Sequence, residues 1–319
     1  MAPVSPQLAA SVPLHGRALV VVRRPEDARA LLPSLDARAA ALTRIDVYFA
    51  PREPFASVDD TARALARIYV ELAALAIAHD RLDLQVNVLV APRCVSLDTL
   101  LQSPDLCVVV SFDEDGTPRV ESLPTLEPLT AAALLGGPDS APPLPNPTHG
   151  TVAVGGTFDH LHPGHKALLT ATVLHAEHDL VVGLVDDALL VNKKHASVLE
   201  PYEMRHAQLV SFLQLLAPNL AVEVVPLRDA FGPAATYANL DALVATVETR
   251  DNSEKVNSIR AGNGLDPIDI VLIPVLSGTS DQEMDMANKL SSTQIRAWYV
   301  AKALAASAPP ADGVTGLDQ

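Results

Sequence analysis

The stretch GGTFDHLHPGHKALL, residues 155–169, places three glycines and three histidines in fifteen residues, in a chain with only 15 glycines and 10 histidines. The apolar run TVAV precedes it and an apolar-periodic run follows. That order reads as strand, turn, helix. A helix N-terminus offers free N–H groups and partial positive charge, so it attracts phosphate. Gly155 and Gly156 are expected to turn the backbone sharply and let it approach a ligand. His162 and His165 are three apart and can share a face where the helix begins, each imidazole donating to a phosphate oxygen. Gly164 between them leaves room, and Thr157 offers a hydroxyl at the turn. Asp159 is expected to order this turn rather than perform chemistry.

Other chemistries compete for these residues. No G-x-G-x-x-G occurs here and no G-K-[S/T] anywhere, which argues against a dinucleotide fingerprint and a Walker A loop. His160, His162 and His165 could supply three nitrogens to zinc, or could be plain surface histidines beside a glycine turn. The strand–helix context favours an anion over both.

A scaffold must hold this turn. Strands are expected at 151–156, 179–185, 222–227, 241–247 and 269–276, with helices at 165–176, 201–216, 253–264 and 291–307 between and after them. Five apolar strands alternating with helices imply a parallel, doubly wound Rossmann-like sheet, which binds ligands beyond the carboxyl ends of its strands. Residues 155–165 lie at that end of the first strand. Upstream, strands at 17–22, 44–50, 83–91 and 106–112 and helices at 25–35 and 58–80 predict a second α/β domain over 1–135, with no catalytic constellation. Residues 136–150, with five prolines, read as a linker. The nucleotide-binding half runs 151–308, and 309–319 is expected to be a disordered tail.

The composition bounds the partners. With 38 Asp and Glu against 23 Lys and Arg, the net charge is −15, which argues against a nucleic-acid grip. A local cluster can still hold one phosphate. Two cysteines, Cys94 and Cys107, fit a reducing compartment and exclude a disulfide framework. No run is long enough to span a membrane and no secretory signal is evident, so a cytoplasmic protein is expected.

The segment H-L-H-P-G-H contains H-x-G-H (His162, Gly164, His165), and LSSTQIR at 290–296 is similar to S-S-[S/T]-x-[I/V]-R; together they resemble the nucleotidyltransferases. NKKHASVLEPYEMR (192–205), RDAFGP (228–233) and VET followed by VNSIR (247–260) resemble the eukaryotic and archaeal phosphopantetheine adenylyltransferases. The resemblance covers roughly residues 150–305. It implies that ATP and 4′-phosphopantetheine give dephospho-CoA and pyrophosphate, without a covalent intermediate. In animals a related domain is fused to a dephospho-CoA kinase; lacking a P-loop, this chain is not expected to have that activity.

The resemblance also implies roles. Gly155, Gly156, Thr157 and Phe158 would border ATP. His165 would contact the α-phosphate and His162 the triphosphate. Ser291, Ser292 and Thr293 would serve the β- and γ-phosphates, with Arg296 adding charge. Thr157, one of Lys193 and Lys194, and Arg260 would hold the acceptor phosphate. Mg²⁺ is expected with ATP, held largely by phosphate oxygens and water. Two positions depart from the family's S-x-E-T-x-x-G loop: Thr246 replaces the serine and Asn252 the final glycine. Other H-x-G-H enzymes take nicotinamide mononucleotide or glycerol phosphate as acceptor, and a nucleotide-binding scaffold is the non-enzymatic alternative. The N-terminal domain could support a homo-oligomer or a protein partner. Trp298 and Tyr299 are expected in the core rather than as an adenine platform.

Overall fold

The structure, a computed structural model, describes residues 16–25, 27, 42–113, 115–123, 129–135, 141–273 and 291–307. The expected helix over 25–35, most of the first half of the linker and the tail from 309 lie outside the described residues.

Two five-stranded sheets follow one another. The first takes β1 (Gly16–Val22), β2 (Leu42–Phe49), β3 (Gln85–Val90), β4 (Leu106–Phe112) and β5 (Pro118–Ser122) in the order β3-β2-β1-β4-β5. The first four strands are parallel, and β5 runs antiparallel to β4. Strand β5 was not expected, because PRVES lacks an apolar run. Helix α1 (Val58–Ala78) begins at Ser57, whose hydroxyl accepts from Asp60 N at 3.1 Å, with Asp59 and Asp60 in the dipole-favoured first turn. Short helices α2 (Leu97–Leu101) and α3 (Ala131–Leu135) complete this half.

The second sheet holds β6 (His149–Gly156), β7 (Ala176–Val185), β8 (Ala221–Leu227), β9 (Ala242–Thr246) and β10 (Asp269–Ile273) in the order β10-β9-β6-β7-β8, all parallel. The chain winds outward from β6 through β7 to β8, then returns to β9 on the other side of β6. The crevice beyond β6 and β9 is therefore the switch point where such sheets bind ligands. Helices α4 (Pro163–His175), α5 (Tyr202–Leu216), α6 (Gly232–Thr236), α7 (Arg250–Gly262) and α8 (Ser292–Ser307) cover it. Strand β6 starts at His149, so the expected linker already contributes its last two residues to the sheet.

The two halves share a core. Ala167 and Leu174 of α4 are buried in one apolar cluster with Leu65, Leu72 and Ala76 of α1 and with strands of the first sheet. Val95 N donates to Leu215 O at 3.0 Å, and Arg93 donates to Ala176 O. The N-terminal domain thus has a partner within its own chain. Among the described residues no helix is long and apolar enough to cross a membrane.

Candidate functional site

Strand β6 ends where the expected turn begins, but the turn is made differently from expectation. Gly155 and Gly156 are the last two residues of β6, paired with Gly183 and Leu184. Positive φ falls instead on Phe158 (47°) and His160 (51°). The glycines supply space: a Cβ on Gly156 would stand 3.0 Å from the Phe158 ring, and one on Gly155 would stand 3.3 Å from Leu227. The chain therefore folds the Phe158 ring back over the strand end, where it is fully buried in the second core.

His162 caps α4 and Pro163 opens it. The His162 and His165 rings stack with centroids 3.8 Å apart, and His165 meets the Phe158 ring edge-on at 5.3 Å. Burial, with smaller contributions from the neighbouring His160 and Lys166, pushes His165 down to about 3. Burial also holds His162 well below the usual histidine range, with His165 and Lys166 adding to the effect. Both rings are therefore neutral near pH 7, and each carries one N–H. Nδ1 of each is buried and lacks a hydrogen-bond partner among the described residues.

His160 turns away from this pair. Its Nε2 lies 2.9 Å from Val198 O, and its ring stacks on Tyr299 at 4.9 Å. The three histidines do not converge, so the zinc arrangement does not form. Asp159, His160 and Glu200 do lie within 4.8 Å of one another. Their atoms are occupied, however. Asp159 accepts from Glu200 N and Arg296 Nη1, and Glu200 accepts from His160 N and Gln208 Nε2. This cluster is a tie between loops, and Asp159 orders the turn as expected.

Helix α8 brings in the second motif. Ser292 Oγ donates to Asp159 O at 3.3 Å, and Thr293 Oγ1 accepts from Arg296 Nη2 at 3.2 Å. Arg296 is almost fully buried, and its Nε donates to Lys194 O at 2.9 Å. It holds the Asp159 turn, the lysine loop and α8 in one place.

Two contiguous cavities occupy the crevice. The more polar one, about 410 Å³, is bordered by His162, His165, Lys193, Ser291, Ser292 and Thr293, with Gly164, Glu248 and Arg296 also on its wall. The apolar one, about 490 Å³, is bordered by Leu189, Leu227, Phe231, Pro233, Ala234 and Val256, with Asn252 at its wall. Gly155, Gly156, Thr157, Leu168 and Thr246 border both. Phe158 borders the polar cavity and Lys194 neither.

Two expectations need correction. Arg260, expected at the acceptor phosphate, is fully buried and borders neither cavity. Its Nε donates to Asp266 O at 2.7 Å, and its Nη1 donates to Ala234 O and Tyr237 O at 3.0 and 2.8 Å. A guanidinium near the last turn of a helix readily serves local carbonyls, and here it ties α7 to the end of α6. Trp298 and Tyr299 are only half-buried. Trp298 Nε1 donates to Asp80 of the first half, and Tyr299 stacks on His160.

Arg205 was not anticipated as a site residue. It is fully buried and donates to Glu200 O, Thr157 O, Val185 O and Asp187 Oδ1 at 2.9, 2.7, 2.9 and 2.6 Å. It clamps the ends of β6 and β7 to the start of α5. Its signal was its place at the end of the 192–205 stretch, where a cation follows an apolar methionine at a helix start.

This switch-point crevice, with stacked imidazoles at one helix start and hydroxyls at another, defines a nucleotidyltransferase-type site. A cytidylyltransferase-like family model matches residues 153–298. The phosphopantetheine adenylyltransferase of Saccharomyces cerevisiae is 42% identical over 144 residues, 45% of this chain and 47% of that protein. The phosphopantetheine adenylyltransferases of Pyrobaculum aerophilum and Thermococcus kodakarensis are 34% and 36% identical, over 46% and 47% of this chain and 88% and 86% of theirs. The match spans about half the length of the yeast relative and most of the two archaeal ones. This chain belongs to the phosphopantetheine adenylyltransferase family.

Proposed function

We propose that the chain transfers the adenylyl group of ATP to the phosphate of 4′-phosphopantetheine, releasing pyrophosphate and giving dephospho-CoA. One observation carries this reading: a cavity rich in anion-binding groups continues into an apolar one across Thr157. The polar side suits a triphosphate, and the apolar side suits an uncharged aliphatic amide arm. The phosphate that joins them then falls beside Thr157 and Lys193.

An oxygen of the acceptor phosphate attacks the α-phosphorus in line, and the bond to the bridging oxygen of pyrophosphate breaks. An ionised phosphate needs no strong base, so the protein's contribution is positioning and charge stabilisation. His165 donates to the α-phosphate as charge develops there, and His162 to the neighbouring phosphates. Neutral imidazoles suit this donor role without needing to be charged. Ser291, Ser292 and Thr293 present hydroxyls and helix N–H groups to the β- and γ-phosphates. Arg296 preorganises these hydroxyls through its hold on Thr293 and Asp159. Lys193, on the cavity wall, is the lysine for the acceptor phosphate.

The donor set fits Mg²⁺ as a metal carried in on ATP. Glu248 is the carboxylate on the polar wall, whereas Asp159 and Glu200 are held by other groups. When bound, Mg²⁺ screens the triphosphate charge. A chain with only two cysteines supports a cytoplasmic setting.

The test is pyrophosphate release by the full chain with Mg²⁺-ATP and three acceptors: 4′-phosphopantetheine, nicotinamide mononucleotide and glycerol phosphate. Release with 4′-phosphopantetheine alone, reduced at least about 100-fold by His165→Ala, is expected. Release with another acceptor instead would overturn the substrate. Heat protection by ATP without any release would favour a nucleotide-binding scaffold.

A further inference from the structure

Away from the crevice, the two halves border another cavity, open to solvent and lined in part by polar side chains. Asp46, in the middle of β2, is fully buried. It accepts from Arg17 Nε, from Arg44 Nε at 2.9 Å and from Asn87 Nδ2. Lys166, the residue after His165 on α4, reaches this group from the other half. Its Nζ donates to Gln85 Oε1, Val86 O and Asn87 Oδ1 at 3.2, 2.9 and 2.9 Å. All three acceptors are neutral, so the lysine charge has no direct counter-ion. Three basic side chains, Arg17, Arg44 and Lys166, thus gather around one buried carboxylate, an excess of two positive charges whenever Lys166 is protonated. Asp105, at 3.8 Å from Arg17 Nη1, has its side chain 57% exposed and is screened by solvent.

Two guanidinium nitrogens here are also unused. Nη2 of Arg17 and Nη2 of Arg44 are buried and have no hydrogen-bond partner among the described residues. Leaving buried donors unpaired is costly, and more so when they are charged. Beside Arg44, though not Arg17, lies a cavity of about 330 Å³, bordered by Arg44, Gln85, Asn87 and Lys166 on one side and by Gln208 and Ser211 of α5 on the other. It shares no residue with the two cavities of the crevice.

We propose that this interdomain cavity binds a doubly charged phosphate group, either free or carried on a small ester. The charge count selects a dianion, and the guanidinium, ammonium and hydroxyl groups around it match the oxygens of a phosphate. Burial pushes the Lys166 ammonium down to about 7, Asp46 opposing this and Arg44 reinforcing it. A bound dianion would hold that lysine in its charged form. The site adjoins the helix that begins with the His162 and His165 pair, yet it lies outside the reacting crevice.

The test is equilibrium binding of radiolabelled inorganic phosphate to the full chain. Two variants remove the interdomain site by different routes. Arg44→Gln deletes a cation at the partly exposed mouth, and Ser211→Asp, on the exposed face of α5, adds a repelling carboxylate. Ser292→Ala weakens phosphate binding in the crevice. The wild type is expected to bind two equivalents. Arg44→Gln and Ser211→Asp should each weaken one of them at least tenfold and leave adenylyl transfer in phosphate-free buffer unchanged. Ser292→Ala should weaken only the other. Displacement of the interdomain label by methyl phosphate identifies an ester-accepting site, and displacement by inorganic phosphate alone identifies a free-phosphate site. A wild type that binds phosphate only where Ser292→Ala weakens it, or two equivalents that survive both interdomain variants, would overturn the proposal.

Discussion

Lys193 and Lys194 are neighbours in sequence but not in reach. Lys193 borders the polar cavity, whereas the carbonyl of Lys194 is fixed by Arg296 Nε. The Lys194 side chain borders neither cavity. Lys193→Ala is therefore expected to lower kcat by about 100-fold or more, the usual loss for a preorganised donor. Lys194→Ala, which keeps its backbone carbonyl, should stay within about threefold in the same pyrophosphate assay. Equal losses in the two variants would sink the assignment. Sequence reasoning could not choose between them, since a loop has no periodicity from which to read direction. His162 and His165 were legible because their spacing at a helix start itself brings the rings together. Arg260 was misplaced because the same arginine at a helix end can serve a ligand or local carbonyls, and only its burial decides.

The elements of the second half were largely legible, since near-continuous apolar runs admit few alternatives to buried parallel strands. What was hidden is how their ends are tied. Glycines suggested the sharp turn, yet Phe158 and His160 take the positive φ, and Arg205 holds the adjoining Thr157 O. Arg205 also binds Val185 O and Glu200 O, so one side chain holds the ends of three segments. A lysine keeps the charge but cannot reach all these acceptors at once. Arg205→Lys should leave at least one buried carbonyl unpaired and cost about 2–4 kcal/mol of stability. It should also raise KM for the acceptor, because Thr157 borders both cavities. Urea unfolding and steady-state kinetics read the two effects. A variant with wild-type stability would show that the clamp is dispensable.

At the scale of the molecule, the sequence revealed two α/β halves but not that they close on one another. Lys166 carries that closure, and nothing in the sequence around H-x-G-H singled it out. Its side chain is instead buried against β3 of the other half. An unfolded lysine stays protonated to about pH 10.4, whereas Lys166 in the fold loses its proton near 7. Between those values the unfolded chain binds one more proton than the folded one, so this group makes stability rise with pH. The contribution is complete above the unfolded value and is lost as pH falls through about 7. The full span could reach about 5 kcal/mol, an upper limit since neighbours relax. Lys166→Met keeps an unbranched stem in place but removes the titration. Other titrating groups cancel between wild type and variant. The difference in unfolding free energy, wild type minus Lys166→Met, should therefore climb from pH 7 to pH 10 in phosphate-free buffer. Each protein should also unfold in one transition, because Leu174 and Ala167 are packed in the same core as α1. Curves for the two proteins that run parallel across this range would mean that the buried lysine keeps its ordinary affinity for the proton, and that the interface is wetter than its packing indicates.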